Sequence, residues 1–190
     1  MVLEHPAVWE RLNTLASGFP REGLIDVLTF SRLDAADIRA IRSAGLDVLS
    51  SLLVKENASD WEQGVIAASA IFSRGALTSD PAIRLVHQFS ALESLLLRSE
   101  TEPIQQNVGE RAAFYLHETA GDRAGLTRLF RQVYAQRSRY VHHGRDINDE
   151  DALKQFAPLA TQLMWKIVRE APRFSTRDEF IRHIDQVKFS

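Results

Sequence analysis

Cysteine is absent from the 190 residues. That excludes a disulfide framework, a thiolate nucleophile and cysteine-ligated zinc, and it fits a reducing compartment. No run of 18 consecutive apolar residues occurs, so no membrane span is expected. The N-terminus also lacks the basic-then-apolar order of a signal peptide, and a cytoplasmic protein is the expectation. Internal repeats and low-complexity tracts are missing too. Nor is there a strong overall charge: a net of -2 argues against polyanion binding by the whole surface.

What is present is an apolar fraction of 45%, enough at this length to bury one core. The charge is unevenly placed. Between Gly121 and Arg145 stand six arginines and one acid, Asp122, a local charge of +5 that leaves -7 for the remainder. A phosphate-bearing partner is drawn to that segment and to little else.

Apolar spacing predicts a short helix over residues 6–16, opened by Pro6, while residues 24–30 fit helix or coil better than strand. A helix from Asp34 carries Ile38, Ile41, Leu49, Leu52 and Leu53 and breaks at residues 57–60; another follows from Trp61 to Leu77. Asp80 and Pro81 then form an N-cap and first-turn pair for a helix reaching about Arg98. Beyond a polar linker, Asn107 and Glu110 have the spacing of a capping box opening a helix to about His117. Gly121 and Asp122 mark the next stop and start. An arginine-rich helix is expected to run to His142 or His143, with Gly144 in the left-handed conformation that ends helices. A long helix over 151–170, kinked at Pro158, and a last one near Thr176 with the capping pattern TRDE complete an all-α bundle.

Two charges fall on apolar faces. At about 100° per residue, Leu85, Val86, Phe89, Leu92 and Leu96 share one side of their helix, and Glu93 lies among them. On the arginine-rich helix, Arg137 lies near the centre of the stripe formed by Leu126, Leu129, Phe130, Val133 and Tyr140. Each charge needs a counter-ion, hydrogen bonds or a wet cleft. Either the two pair and fix helix packing, or their shared face opens onto a cleft where Arg137 meets a substrate phosphate and Glu93 steadies it. His142 lies about 140° round the wheel from Arg137. It reads equally as a C-terminal cap favoured by the helix dipole or as a group brought to Arg137 by helix loosening, arginine reach or another chain. Arg128, Arg131, Arg139 and His142 gather on the outward side.

Three ordered blocks carry a family likeness. The run LFRQVYAQRSRYVHHG from Leu129 to Gly144, FSALESLLL from Phe89 to Leu97, and GERAAFYL from Gly109 to Leu116 together resemble the HEPN superfamily, particularly its Apea-like branch. The likeness extends from about Asp60 to the C-terminus. It implies an antiparallel helical bundle of HEPN type over 58–190, with 1–57 as an N-terminal helical extension, and a homodimer with its two arginine-histidine motifs at the interface. Many members are metal-independent ribonucleases acting as toxins or in anti-phage defence, some with an antitoxin or defence-system partner. Others keep the fold for nucleotide or nucleic-acid binding or for dimerisation.

Matched residue by residue, Arg137 and His142 are the motif pair and Glu93 the supporting acid, with no cofactor or metal implied. His143, Arg139, Arg131, Tyr134 and Tyr140 are candidate substrate contacts, the tyrosines as stacking platforms. Toxins modified by a partnered nucleotidyltransferase carry tyrosine two residues after the histidine; here Gly144 occupies that position. The chemistry is self-consistent, because RNA brings its own 2'-hydroxyl nucleophile. Imidazole titrates near neutrality and can move the proton, while a planar guanidinium holds two phosphate oxygens as charge develops.

Overall fold

A computed structural model describes residues 39–99, 101–147 and 149–189, and among these every regular element is helical. Seven α-helices pack together: α1 (Asp47–Val54), α2 (Asp60–Ala76), α3 (Pro81–Leu96), α4 (Ile104–Leu116), α5 (Ala120–His143), α6 (Glu150–Glu170) and α7 (Arg177–Phe189). The expectations for residues 6–16 and 24–30, and for a helix start at Asp34, lie outside the described residues. No helix among those described is long and apolar enough to cross a membrane.

Local chemistry sets most boundaries. Ser59 and Glu62 form a reciprocal capping box at the start of α2, and the Glu62 carboxylate also takes Lys55 at 2.8 Å. Asp80 caps α3 as expected, accepting from the backbone amides of Ala82 at 2.8 Å and Ile83 at 3.2 Å, with Pro81 in the first turn. The expected box at Asn107 and Glu110 is not formed. α4 already starts at Ile104, so the Asn107 amide donates to the Pro103 carbonyl, and Glu110 turns to Gln106 and Lys188. A start at Gly121 and Asp122 is likewise displaced: Thr119 caps α5 by accepting from the Asp122 amide. At α7 the Thr176 hydroxyl accepts from the Glu179 amide, but the Glu179 carboxylate answers Ser175, one residue before the expected partner. α6 is continuous across Pro158, which is exposed.

Side-chain contacts give the topology. Gly75 meets Arg84 and His87, so α2 and α3 are antiparallel neighbours. Gly109 meets Phe130, and Gln105 reaches the Arg131 carbonyl, so α4 and α5 are antiparallel as well. A Cβ at Gly109 would lie 3.1 Å from that of Phe130, and the bare backbone there lets the two helices approach closely. α3 and α5 run in the same direction, because Phe89 meets Tyr134 while Glu93, one turn on, meets Arg137.

The core lies where α3, α5 and α6 converge. Phe89 stacks on Phe156 with centroids 5.0 Å apart, and both rings meet Phe130 edge-on. Leu85, Leu92, Leu96, Val133, Leu163 and Ile167 fill the space around them without solvent. Leu52 of α1 is buried in the same cluster. At the far end, Arg111 donates to Glu102 at 2.7 and 2.9 Å, to Asp185 at 3.3 Å and to the Leu96 carbonyl at 2.6 Å. One buried guanidinium thereby joins the end of α3 to α4 and α7 and satisfies a C-terminal carbonyl of α3.

Candidate nucleic-acid interface on helix α5

The aromatic cluster positions the charged pair. Tyr134 packs edge-on against Phe89 at 5.5 Å, and one turn beyond, the Arg137 Nη2 donates to the Glu93 Oε2 at 3.4 Å. Arg137 also lies over the Tyr134 ring, 5.7 Å from its centroid. Both side chains are largely enclosed, Arg137 15% and Glu93 16% exposed. Burial pushes the Glu93 carboxyl above the ordinary carboxylate range, and the positive charge of Arg137 pulls in the opposite direction.

The pair is incompletely satisfied. The Arg137 Nε and the Glu93 Oε1 are each buried without a hydrogen-bond partner. A guanidinium offers five N–H donors and a carboxylate about four acceptor sites, so one 3.4 Å contact leaves most of that capacity unused.

His142 and His143 occupy the last turn of α5, both exposed, with ring centroids 6.5 Å apart. Gly144 closes the helix at φ 59° and donates its amide to the Tyr140 carbonyl at 2.9 Å. The two histidines therefore stand at the carbonyl end, where a cation is favoured. No hydrogen bond or ring contact joins His142 to Arg137 within the described residues. Five residues of α-helix separate them, about 7.5 Å of rise and about 140° of turn, so one faces the bundle and the other faces out.

Arg128, Arg131 and Arg139 are exposed and share the outward face with His142, a cationic stripe about 21 Å long at helical rise. Arg145 is exposed just beyond it. Tyr134 and Tyr140 are partly buried, Tyr134 against the core. Of the candidates from the sequence, the fold brings together Glu93, Tyr134 and Arg137 on one side of α5. Arg131, Arg139 and His142 share the other.

Two residues beside this surface escaped the sequence reading. Gln136 is 3% exposed, and its Oε1 accepts from the Asp149 amide at 3.1 Å. Asp149 caps α6 through the Ala152 amide and takes Gln132 with its other oxygen. This clamp ties the connection between α5 and α6 to the helix that carries the arginines. The signal was readable: Gln136 follows Val133 by three and so lies on the apolar stripe beside Arg137.

Fold and site together define an all-α bundle in which helix α5 presents a buried, under-satisfied ion pair inward and a cationic stripe outward. Comparison with family models, with curated proteins and with solved structures finds no match for this chain.

Proposed function

We propose that this protein is a metal-independent endoribonuclease of HEPN type, acting in a toxin or anti-phage defence setting. The observation that carries the reading is the arrangement on α5: a cationic stripe ending in His142, backed by an Arg137–Glu93 pair with buried polar atoms still unpartnered. Such atoms are rare in folded proteins, and a water, an ion or a polar ligand is what ordinarily completes them.

In the proposed reaction a histidine accepts the proton of the RNA 2'-hydroxyl, whose oxygen attacks the adjacent phosphorus. The bond to the 5'-oxygen breaks and that oxygen takes a proton, leaving a 2',3'-cyclic phosphate and a 5'-hydroxyl. Arg137 holds the non-bridging oxygens as negative charge accumulates, and Glu93 orients the guanidinium. A homodimer brings the imidazole of one copy to the Arg137 of the other, and the leaving 5'-oxygen takes its proton from that imidazolium or from solvent. The test is RNA incubated with the purified chain in excess EDTA. Cleavage to cyclic-phosphate ends that disappears in both Arg137→Ala and His142→Ala supports the reading; no cleavage, or cleavage unchanged in these variants, removes it.

One observation favours a second reading, a non-catalytic module that binds a nucleotide or nucleic acid or serves dimerisation. Arg137 is engaged by Glu93 and largely covered, which suits an ion pair whose task is helix packing. RNA affinity that falls with salt, without strand scission, is the expected behaviour in that case.

A further inference from the structure

Where the start of α6 faces α5, a cleft of about 560 Å³ is lined by Gln136, Arg139, Asp149, Glu150 and Asp151. Its inner wall carries an unanswered donor. Because the Gln136 Oε1 accepts from a backbone amide, the orientation of the side-chain amide is fixed, and Nε2 carries the two N–H donors. Nε2 is buried, with no partner among the described residues, and a ligand in the cleft reaches it by displacing the side chains that cover it. The outer wall is acidic. Both Asp149 oxygens are occupied, by Ala152 and Gln132, but Glu150 and Asp151 are 80% and 90% exposed and, among the described residues, meet only Lys154, at 3.3 and 3.9 Å.

A ligand that satisfies both walls carries a hydrogen-bond acceptor directly beside N–H donors. A metal ion does not, since it would face an amide N–H and a guanidinium. Among the described residues no group of three or more His, Asp or Glu side chains is placed to hold one. The Watson–Crick edge of guanine has the required order: O6 accepts, and N1–H and the N2 amino group follow as two adjacent donors that a carboxylate takes in parallel. Adenine and cytosine present an amino group where Gln136 presents its own donor. Uracil offers a single donor between two acceptors.

We propose that this cleft is a base subsite selective for guanine. Gln136 donates to O6, a carboxylate of Glu150 or Asp151 accepts from N1 and N2, and the Arg139 guanidinium stacks on the ring. His142 follows Arg139 by three residues on the same face, so an imidazole stands within one helical turn of a base held here. The subsite rests on the ribonuclease reading only for this last consequence, a cut placed next to guanosine.

Titration of the full chain with 5'-GMP, 5'-AMP, 5'-CMP and 5'-UMP, with inorganic phosphate as the backbone control, tests it by calorimetry. GMP is expected to bind at least tenfold more tightly than the other three and not to be displaced by equimolar phosphate. The Glu150→Gln/Asp151→Asn protein, altered only at exposed positions, is expected to lose that preference. Gln136→Glu keeps an acceptor for the Asp149 amide but removes the donor, and is expected to lose it as well. Equal affinity for the four nucleotides, or a GMP preference that survives the carboxamide substitutions, overturns the proposal. Mononucleotide binding needs no scission, so the two readings fail separately. Selective GMP binding without RNA cleavage sinks the ribonuclease, whereas cleavage without GMP selectivity sinks the subsite.

Discussion

Replacing Arg137 by methionine probes the pair at the centre of the bundle. At 3.4 Å the attraction between unit charges is about 5 kcal/mol for an effective dielectric of ~20, before desolvation is counted. Desolvation is the larger influence on Glu93, whose carboxyl is held above its ordinary range in spite of Arg137. The net coupling of the pair is therefore about 1–3 kcal/mol, to be read from a double-mutant cycle with Glu93→Gln. The pH dependence is the sharper readout. In Arg137→Met only burial acts on Glu93, so the folded state holds a carboxyl further above its unfolded value and binds more protons than the unfolded state. Stability then rises as pH falls. The destabilisation by Arg137→Met is expected to be greatest near pH 8 and to shrink toward pH 5, measured by urea unfolding across that range. A destabilisation that is flat with pH, or a coupling near zero, would refute Glu93 as the counter-ion. Arg137→Lys, which keeps the charge and loses the planar fork, is expected to retain most of the stability while failing to support RNA cleavage.

Arg111→Ala leaves Glu102 and Asp185 without their shared partner. Partial solvent access of both acids reduces the cost to about 2–4 kcal/mol, a fall in Tm of roughly 5–15 °C by calorimetry. Glu102 is held below the ordinary carboxylate range chiefly by its hydrogen bonds from Arg111, so this loss is expected in full at neutral pH and to fade as pH falls through the folded value. Gly144→Ala places a Cβ at φ 59° and is expected to cost about 1–2 kcal/mol, with faster amide exchange over the last turn of α5. His142→Ala, at an exposed position, is expected to leave Tm unchanged while abolishing cleavage; a matching loss of stability would point to a capping role.

Features whose cause lies within a few residues were legible in the sequence. Asp80 with Pro81 and Gly144 behave as local chemistry dictates, and of the expected apolar stripes α3 buries Leu85, Phe89, Leu92 and Leu96 and α5 buries Leu126, Phe130 and Val133, with Val86, Leu129 and Tyr140 only partly covered. The capping box at Asn107 failed because Pro103, four residues earlier, already begins the helix, and a short pattern does not reveal which of two starts wins. Arg111 was missed for a different reason. Its position between Val108 and Tyr115 on one face marks it as buried, but Asp185, the partner that makes burial tolerable, stands 74 residues away. Gln136 and Asp149 belong to the same class, joined by a backbone amide that no side-chain pattern announces.

The register of α5 bears directly on the proposed chemistry. Phe89, Phe130 and Tyr134 lock the helix rotation so that Arg137 turns inward to Glu93, and the same rotation necessarily turns His142 outward. A guanidinium and an imidazole on opposite sides of one rigid helix do not converge on one phosphodiester unless the last turn unwinds. Unwinding opposes the Gly144 cap and the clamp that Gln136 and Asp149 place beside it. In the ribonuclease reading the economical arrangement is therefore a second copy, whose outward imidazole approaches the small part of the Arg137 side chain, 15%, that stays exposed. Mixing Arg137→Ala with His142→Ala protein tests this directly. If each site draws its arginine and histidine from different chains, half of the sites in the mixed dimers carry neither group and the other half are intact, so activity returns. If both groups come from one chain, every site lacks one of them and the mixture stays inactive.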